Sequence, residues 1–414
     1  MNTYLARQPI LDRGWNIAGY EVFFSPDSAA SDVIAIALDR LHGDEPAFVT
    51  FDQAFLTDDS SAALAPGKIV VEIPVSVAPE RNVFAGCDRL RRAGYAIALK
   101  TSRNDDRTEA FAPFVDILKV DFQNTSPDDR AALVKRYRQF QLRLIADNVE
   151  SDADFQAASR LGYDFLQGLF FTSPSVLRTS RVPASNPGSL RLLKLVQQED
   201  LDFHAIAEVV RHDLAFSHSL LKYLNSAAFH WASEIESVQQ ALLLLGSNGI
   251  RKWVWMASLP SLAQNRPPVL VSQVLMRGRF CEALARQAGL SKEECDPFLT
   301  GMFSLLDAIL QKPLPEILDE LNVGQHIRNA LIGPANQNDP LSLALRIVKS
   351  YERADFEAAG AAAQSLGLPT EALNTCYLES LHWVESFLAS YEHTWPSTPA
   401  SQGKGFHRDR AFIH

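Results

Sequence analysis

At 414 residues the chain is long for one domain, and at roughly 100–200 residues per domain it should fold as two or three. A make-up of 47% hydrophobic and 21% charged residues is that of an ordinary globular protein and excludes a wholly disordered chain. The formal charge of −10, with no run of Lys or Arg, excludes a general nucleic-acid binder, which needs a clustered basic face.

The opening MNTYLARQPI has no apolar stretch of signal-peptide length, and no uninterrupted apolar run approaches the roughly 20 residues of a membrane span. A cytoplasmic protein with no membrane partner is therefore expected. The next strong signal is a series of short apolar runs at 4–10, 17–24, 47–51, 69–75, 96–100, 116–120, 142–146 and 164–167, which read as eight strands. Helical patterns lie between most of them, such as 128–140, where Leu133, Tyr137 and Phe140 share a face. The short basic cluster Arg89, Arg91 and Arg92 reads as a solvated helix face.

Strands separated by helices imply crossovers and a mainly parallel sheet, and eight of them over residues 1–171 fit a compact TIM-like (β/α) barrel. The link 11–16, LDRGWN, is too short for a crossover helix and suits a hairpin, so one strand should run antiparallel. In such a barrel the polar residues at strand ends converge on one mouth. Here they are Glu21, Thr50, Glu72, Lys100, Lys119, Asp147 with Glu150 just after it, and Gln167. Acidic and basic groups meeting there form either a functional cluster or a structural network of strand-end salt bridges.

The blocks GYEVFF (19–24), VVEIPVS (70–76), VDILKVDF (115–122), IADNVES (145–151) and LGYDFLQGLFFTSP (161–174) resemble, in order and spacing, the EAL domain, whose members hydrolyse the bacterial second messenger cyclic di-GMP. The resemblance implies roles residue by residue. Glu21 matches the glutamate of the EAL signature, Glu72 a second metal carboxylate, Lys119 the lysine near the attacking water, Glu150 a later glutamate and Gln167 the glutamine of the closing motif. It also implies losses. Thr50 stands where the family has an asparagine, Ser25 where it has a phosphate-binding arginine, and Lys100 with Thr101 where it has paired aspartates.

A hard cation needs oxygen ligands, and an ammonium group at Lys100 puts positive charge where the metal would sit. No metal, no cofactor and no catalytic residue are therefore expected. Asp105 and Asp106 fall past the strand in a polar loop that should face solvent, and are not read as substitutes. Without a metal, Glu21 and Glu72 would repel one another and tend to hold a proton, and Lys100 between them would neutralise the pair as a fixed cation.

Residues 172–189, with three prolines and a glycine, read as a linker. Over 190–393 the pattern is helix alone, for example at 191–198, 201–210, 217–225, 237–245, 271–288 and 371–390, so an all-α domain of about ten helices or more is expected. His204, Glu208 and His212 share a helix face and could bind a metal, but Ile206, Val209 and Val210 mark the buried side and turn the trio outward. His212 and Asp213 spell the HD pair of metal phosphohydrolases without the other histidines of such a site, and His218 reads as a surface or interface residue. Trp253 and Trp255 read as core rather than a stacking platform. Cys87, Cys281, Cys295 and Cys376 form no CxxC pair and should be buried thiols.

The stretches DLAFSHSLLKYLNSAAF (213–229) and IESVQQALLLLGSNGIRKW (235–253) resemble the HDOD domain, a relative of HD hydrolases that lacks their metal ligands. Ser304, Leu305 and Leu306 precede Asp307, which has no histidine partner. Residues 394–414 form a polar tail expected to fray. A degenerate EAL barrel followed by an HDOD-like, HD-related helical domain implies a non-catalytic regulator or scaffold in cyclic di-GMP signalling, acting through contacts with another signalling protein. Two alternatives stand beside it: a cyclic di-GMP phosphodiesterase with an unusual metal arrangement, and a metal-free receptor for the nucleotide.

Overall fold

The short link between the first two runs is a tight turn organised by one side chain. Asp12 Oδ1 accepts from the backbone N–H of Gly14 at 2.8 Å and of Asn16 at 2.9 Å, and Trp15 takes a φ of 68°. The turn makes β1 (Leu5–Asp12) and β2 (Ile17–Phe24) an antiparallel hairpin. The computed structural model describes residues 4–24, 45–57, 65–176, 187–198, 200–225, 235–264, 266–290, 296–334, 339–390 and 406.

Strands β3 (Ala47–Thr50), β4 (Ile69–Ile73), β5 (Ala96–Thr101), β6 (Ile117–Asp121), β7 (Arg143–Asp147) and β8 (Phe165–Gln167) follow in order. The eight close into a barrel in which each strand pairs with its sequence neighbours. β1 is antiparallel to both β2 and β8, and every other pair is parallel. The barrel and its single antiparallel strand are those the hydrophobic runs imply, with strand ends moving by no more than two residues.

Helices α1 (Gln53–Thr57), α2 (Arg81–Arg92), α3 (Asp106–Phe111), α4 (Pro127–Tyr137) and α5 (Asp152–Leu161) supply the described crossovers. Their starts are set locally: Ser126 and Ser151 accept from the N–H groups of Asp129 and Asp154, as N-cap hydroxyls do. Leu133 and Tyr137 are buried as the helical pattern demands, but Phe140 is 37% exposed. A 3-10 turn, Arg138–Phe140, ends α4 and swings that ring off the shared face. Asp105 is not a free loop residue: it is exposed, and its carboxylate caps α3 by accepting from Thr108 N–H at 2.9 Å.

Two compact units result. One comprises Met1–Val176, Tyr351–Phe356 and Ala400–His414, the other Leu177–Ser350 and Glu357–Pro399. Most of the stretch 394–414 lies outside the described residues; Phe406 is described and is buried. The second unit is helical, with twelve helices among the described residues, from α6 (Pro187–Val196) to α17 (Thr370–Ser390). Its first helix begins inside the proline-rich stretch, because proline suits the first turn of a helix, where its missing N–H costs nothing. Trp253 and Trp255 are buried, and so are Cys87, Cys281 and Cys376, while Cys295 lies outside the described residues. Among the described residues no helix is long and apolar enough to cross a membrane.

In this unit helix Pro268–Gln287 meets helix Pro297–Phe303 through two glycines. A Cβ on Gly301 would lie 2.3 Å from the Arg277 carbonyl oxygen and 2.8 Å from the Gly278 Cα. Alanine in place of a helical glycine ordinarily gains about 1 kcal/mol, but here backbone stands in the way. Gly301→Ala should therefore destabilise the protein by about 3 kcal/mol, measured by urea unfolding; a gain in stability would show that the two helices separate freely.

Candidate functional site

Alternation along the strands explains how the polar residues of the barrel come together. Side chains two residues apart share a face, so Glu21 of β2, Glu72 of β4, Lys119 of β6 and Gln167 of β8 all point inward and are at most 2% exposed. Lys100 joins them from β5 with its side chain 27% exposed. Neighbouring strands place Lys100 beside Lys119 in register. Two adjacent lysines would repel unless carboxylates lay between them.

The carboxylates do. Lys100 Nζ lies 2.7 Å from Glu21 Oε1 and 3.0 Å from Glu72 Oε1. Lys119 Nζ lies 2.6 Å from Glu21 Oε2 and 2.9 Å from Glu72 Oε2. Each ammonium thus bridges both glutamates, and each of the four carboxylate oxygens lies within 3.0 Å of one ammonium. Thr50 Oγ1 donates a further bond to Glu72 Oε1 at 2.9 Å, and Gln167 Nε2 donates to Glu21 Oε2 and, at 2.7 Å, to Gln8 Oε1.

Asp147 completes the cluster from the end of β7. Its Oδ2 stands 3.8 Å from both ammonium groups, further than either glutamate. With all groups ionised there are three carboxylates for two ammoniums, and the excess falls on the most distant one. Burial, and secondarily the charge of Glu21, push Asp147 up to about 6 against the pull of the lysines. Burial would also raise Glu21, but Lys119 and Lys100 outweigh it and hold that carboxyl well below the usual range. Burial works to lower both lysines, yet the surrounding carboxylates, Glu21 foremost at Lys100 and Asp147 foremost at Lys119, keep them firmly protonated.

A divalent metal does not fit these residues. It would need the glutamate oxygens as ligands at about 2.0–2.6 Å, but those oxygens are already paired with ammonium groups, and the Lys100 Nζ occupies the bridging point between them. Thr101, the next residue, is buried but bonded elsewhere: its Oγ1 lies 2.8 Å from Thr108 Oγ1 and donates to the Arg103 carbonyl at 2.9 Å. Glu150 is exposed and lines the cleft beside the cluster. Ser25 lies outside the described residues.

Beside the cluster is a small cleft of about 80 Å³, lined by Lys100 and Asp147 and by Phe23, Leu169, Glu150 and Arg353. That is well below the roughly 300–1,000 Å³ usual for small-molecule sites. Gln8 and Arg353 are the members that the sequence motifs do not single out. Gln8 was detectable as the partner of Glu21 across the hairpin; Arg353 is too remote in sequence to carry any such signal.

In the second unit the candidate metal-binding residues do other work. His204 is exposed, and the His212 side chain is 83% exposed, its Nε2 3.6 Å from Glu208, which also pairs with Arg211 at 3.1 Å. Asp213 is an N-cap, accepting from Ala215 and Phe216 N–H at 2.9 and 3.2 Å. His218 is exposed. Asp307 is half-buried, and burial raises its carboxyl.

Residues 52–174 match the family model of the EAL domain and residues 182–325 that of the HDOD domain. The EAL match leaves out β1 to β3, and with them Glu21 and Thr50. The chain is 27% identical to the uncharacterized protein YuxH of Bacillus subtilis, covering 94% of this chain and 99% of that protein. It is likewise 27% identical to the cyclic di-GMP phosphodiesterase CdgJ of Vibrio cholerae, covering 92% of each. Among solved structures it is similar to the EAL-domain protein YkuI of Bacillus subtilis in complex with c-di-GMP and calcium, at 19% identity over 40% of this chain and 53% of that one, with a TM-score of 0.34. The EAL domain of Mycobacterium smegmatis DcpA matches at 18% identity over 40% and 90%, with a TM-score of 0.35.

Two outcomes test the electrostatic account. Lys119→Met leaves both buried glutamates with only Lys100 and should cost about 3–5 kcal/mol in urea unfolding, part of which Glu21→Gln should restore in the double variant. Asp147 gives a pH signature. Its carboxyl is higher folded than unfolded, so the folded state binds the extra proton between about pH 4 and 6. Its contribution to stability therefore declines as pH rises through that window. Asp147→Asn should be more stable than the parent by on the order of 2 kcal/mol at pH 7.5, an advantage that vanishes near pH 4; a pH-independent difference would refute the assignment.

Proposed function

We propose, on the premise that this chain is an EAL domain followed by an HDOD domain, that it is a non-catalytic cytoplasmic regulator in cyclic di-GMP signalling, acting through contacts with another signalling protein. The observation that carries this reading is the Lys100 ammonium held between Glu21 and Glu72 at 2.7 and 3.0 Å. Hydrolysis of a phosphodiester by this kind of site relies on a metal to generate the nucleophile, and the oxygens that would hold one are engaged by lysines. Support for protein contacts comes from the second unit, where Leu214, Leu243 and Leu244 are 86%, 74% and 42% exposed. Large apolar side chains of this kind are what a partner surface covers.

A second reading, a working phosphodiesterase, draws on the name of the Vibrio cholerae relative and on the retained Glu21, Glu72, Lys119, Glu150 and Gln167. A third, a metal-free nucleotide receptor, draws on the open cleft beside Lys100. One set of measurements separates the three. The purified chain should leave cyclic di-GMP intact in magnesium or manganese, and manganese should not raise its melting temperature. Lys100→Asp, which removes the internal cation and adds an oxygen ligand, should gain a manganese-dependent rise through ligand linkage. Metal-dependent hydrolysis by the parent, lost in Glu21→Ala, would establish the enzyme instead, and calorimetric binding of the nucleotide without turnover would establish the receptor.

A further inference from the structure

Directly under the charged cluster, each strand places an inward side chain two residues from its polar one. Ile10 accompanies Gln8, Phe48 accompanies Thr50, Val70 accompanies Glu72, Ala98 accompanies Lys100, Ile117 accompanies Lys119, Ile145 accompanies Asp147 and Phe165 accompanies Gln167. These seven form an apolar cluster with Ala96. On β2 the corresponding position, two residues before Glu21, is Gly19. A Cβ there would lie 2.8 Å from the Pro46 carbonyl oxygen and 3.2 Å from the Phe48 ring, so the position admits no side chain without a shift. Two alanines and a glycine leave this end of the barrel short of volume, and barrel interiors are filled, not hollow.

The missing volume comes from Phe406. Its ring is 6% exposed and belongs to the same cluster. It stands edge-on to Phe48 with centroids 5.0 Å apart and tilted against Phe165 at 4.9 Å. Its Cε2 is 3.5 Å from where a Gly19 Cβ would be. More than two hundred residues of sequence separate it from β8, so local folding does not bring it there; it arrives as a ligand would.

We propose that the end of the barrel opposite the charged mouth is a docking socket for one aromatic side chain of a short peptide, and that residues 400–414, through Phe406, are its resident occupant. The socket is a shaped apolar hole bounded by Gly19, Phe48 and Phe165, the arrangement in which a single aromatic anchor dominates binding. Holding comes from contact and not from chain continuity, so the same peptide should bind in trans when the cis ring is removed.

Two arms on the full-length chain test this. In the first, a protease recognition sequence replaces residues 396–399, and the cut protein is passed through gel filtration. The native tail should stay with the body, whereas the tail carrying Phe406→Ala should leave it. In the second, a fluorescent peptide of residues 400–414 is titrated into full-length Phe406→Ala and into the parent. It should bind the variant at least tenfold more tightly than the parent, whose socket is filled, and a peptide with alanine at 406 should bind neither. Release of the native and substituted tails alike, or equal binding of the two peptides to the variant, overturns the proposal. If Phe406→Ala does not fold, the cleavage arm with Phe406→Leu, whose tail should be released faster than the native one, decides it.

Discussion

Two ammonium groups shared between two buried glutamates are the constraint on which the barrel depends. Glu21, Glu72, Lys100 and Lys119 come from four different strands, β2, β4, β5 and β6, and their contacts span the barrel interior. Burying four charges carries a desolvation cost of several kcal/mol per ion, which the mutual attraction offsets only when geometry is good and the remaining lone pairs are filled. Here Thr50 and Gln167 supply those extra donors. The net gain in stability from such a cluster is small, whereas losing any one member is expensive. Its main effect is therefore specificity: strand register is fixed, because a slip of one residue would turn a charge into the surrounding apolar shell.

The same cluster sets the charge of the barrel mouth. A mouth with free carboxylates concentrates negative charge and attracts a cation from solution; this mouth carries its cations on the chain. Lys100 is the partly exposed cation of the two and sits at the bridging point between the glutamates. Asp147 is the carboxylate furthest from the ammonium groups, and burial raises its carboxyl to about 6. Beneath it, the apolar row with its glycine and alanines shows the complementary problem, a deficit of volume met by a ring from far along the chain.

The helical unit follows different physics. Its helices approach by removing side chains where they cross, as at Gly278 and Gly301. Lys252 is satisfied within the unit, donating to both oxygens of Glu282 at 2.6 and 2.7 Å and lying 4.3 Å from the centre of the Phe298 ring. The residues that looked most like chemistry in the sequence, His212 and Asp213, are an exposed side chain and a helix cap. Short polar motifs at helix starts serve capping as readily as catalysis, because both need an exposed oxygen near backbone N–H groups.

Strand positions, the antiparallel hairpin and the convergence of Glu21, Glu72, Lys100, Lys119 and Gln167 were all legible in the sequence. They follow from a period of two and from short links, which are local properties of the chain. The basic charge at Lys100 was also visible there, because a lysine at the end of a strand whose neighbours carry glutamates stands out in the sequence. What the tertiary structure alone decided was how those charges divide among themselves: that each lysine bridges both glutamates, that Asp147 is left over, and that Thr101 bonds away from the cluster. It also decided the places of Arg353 and Phe406. Contacts between residues hundreds of positions apart depend on closure of the whole fold, and no pattern of spacing or periodicity encodes them.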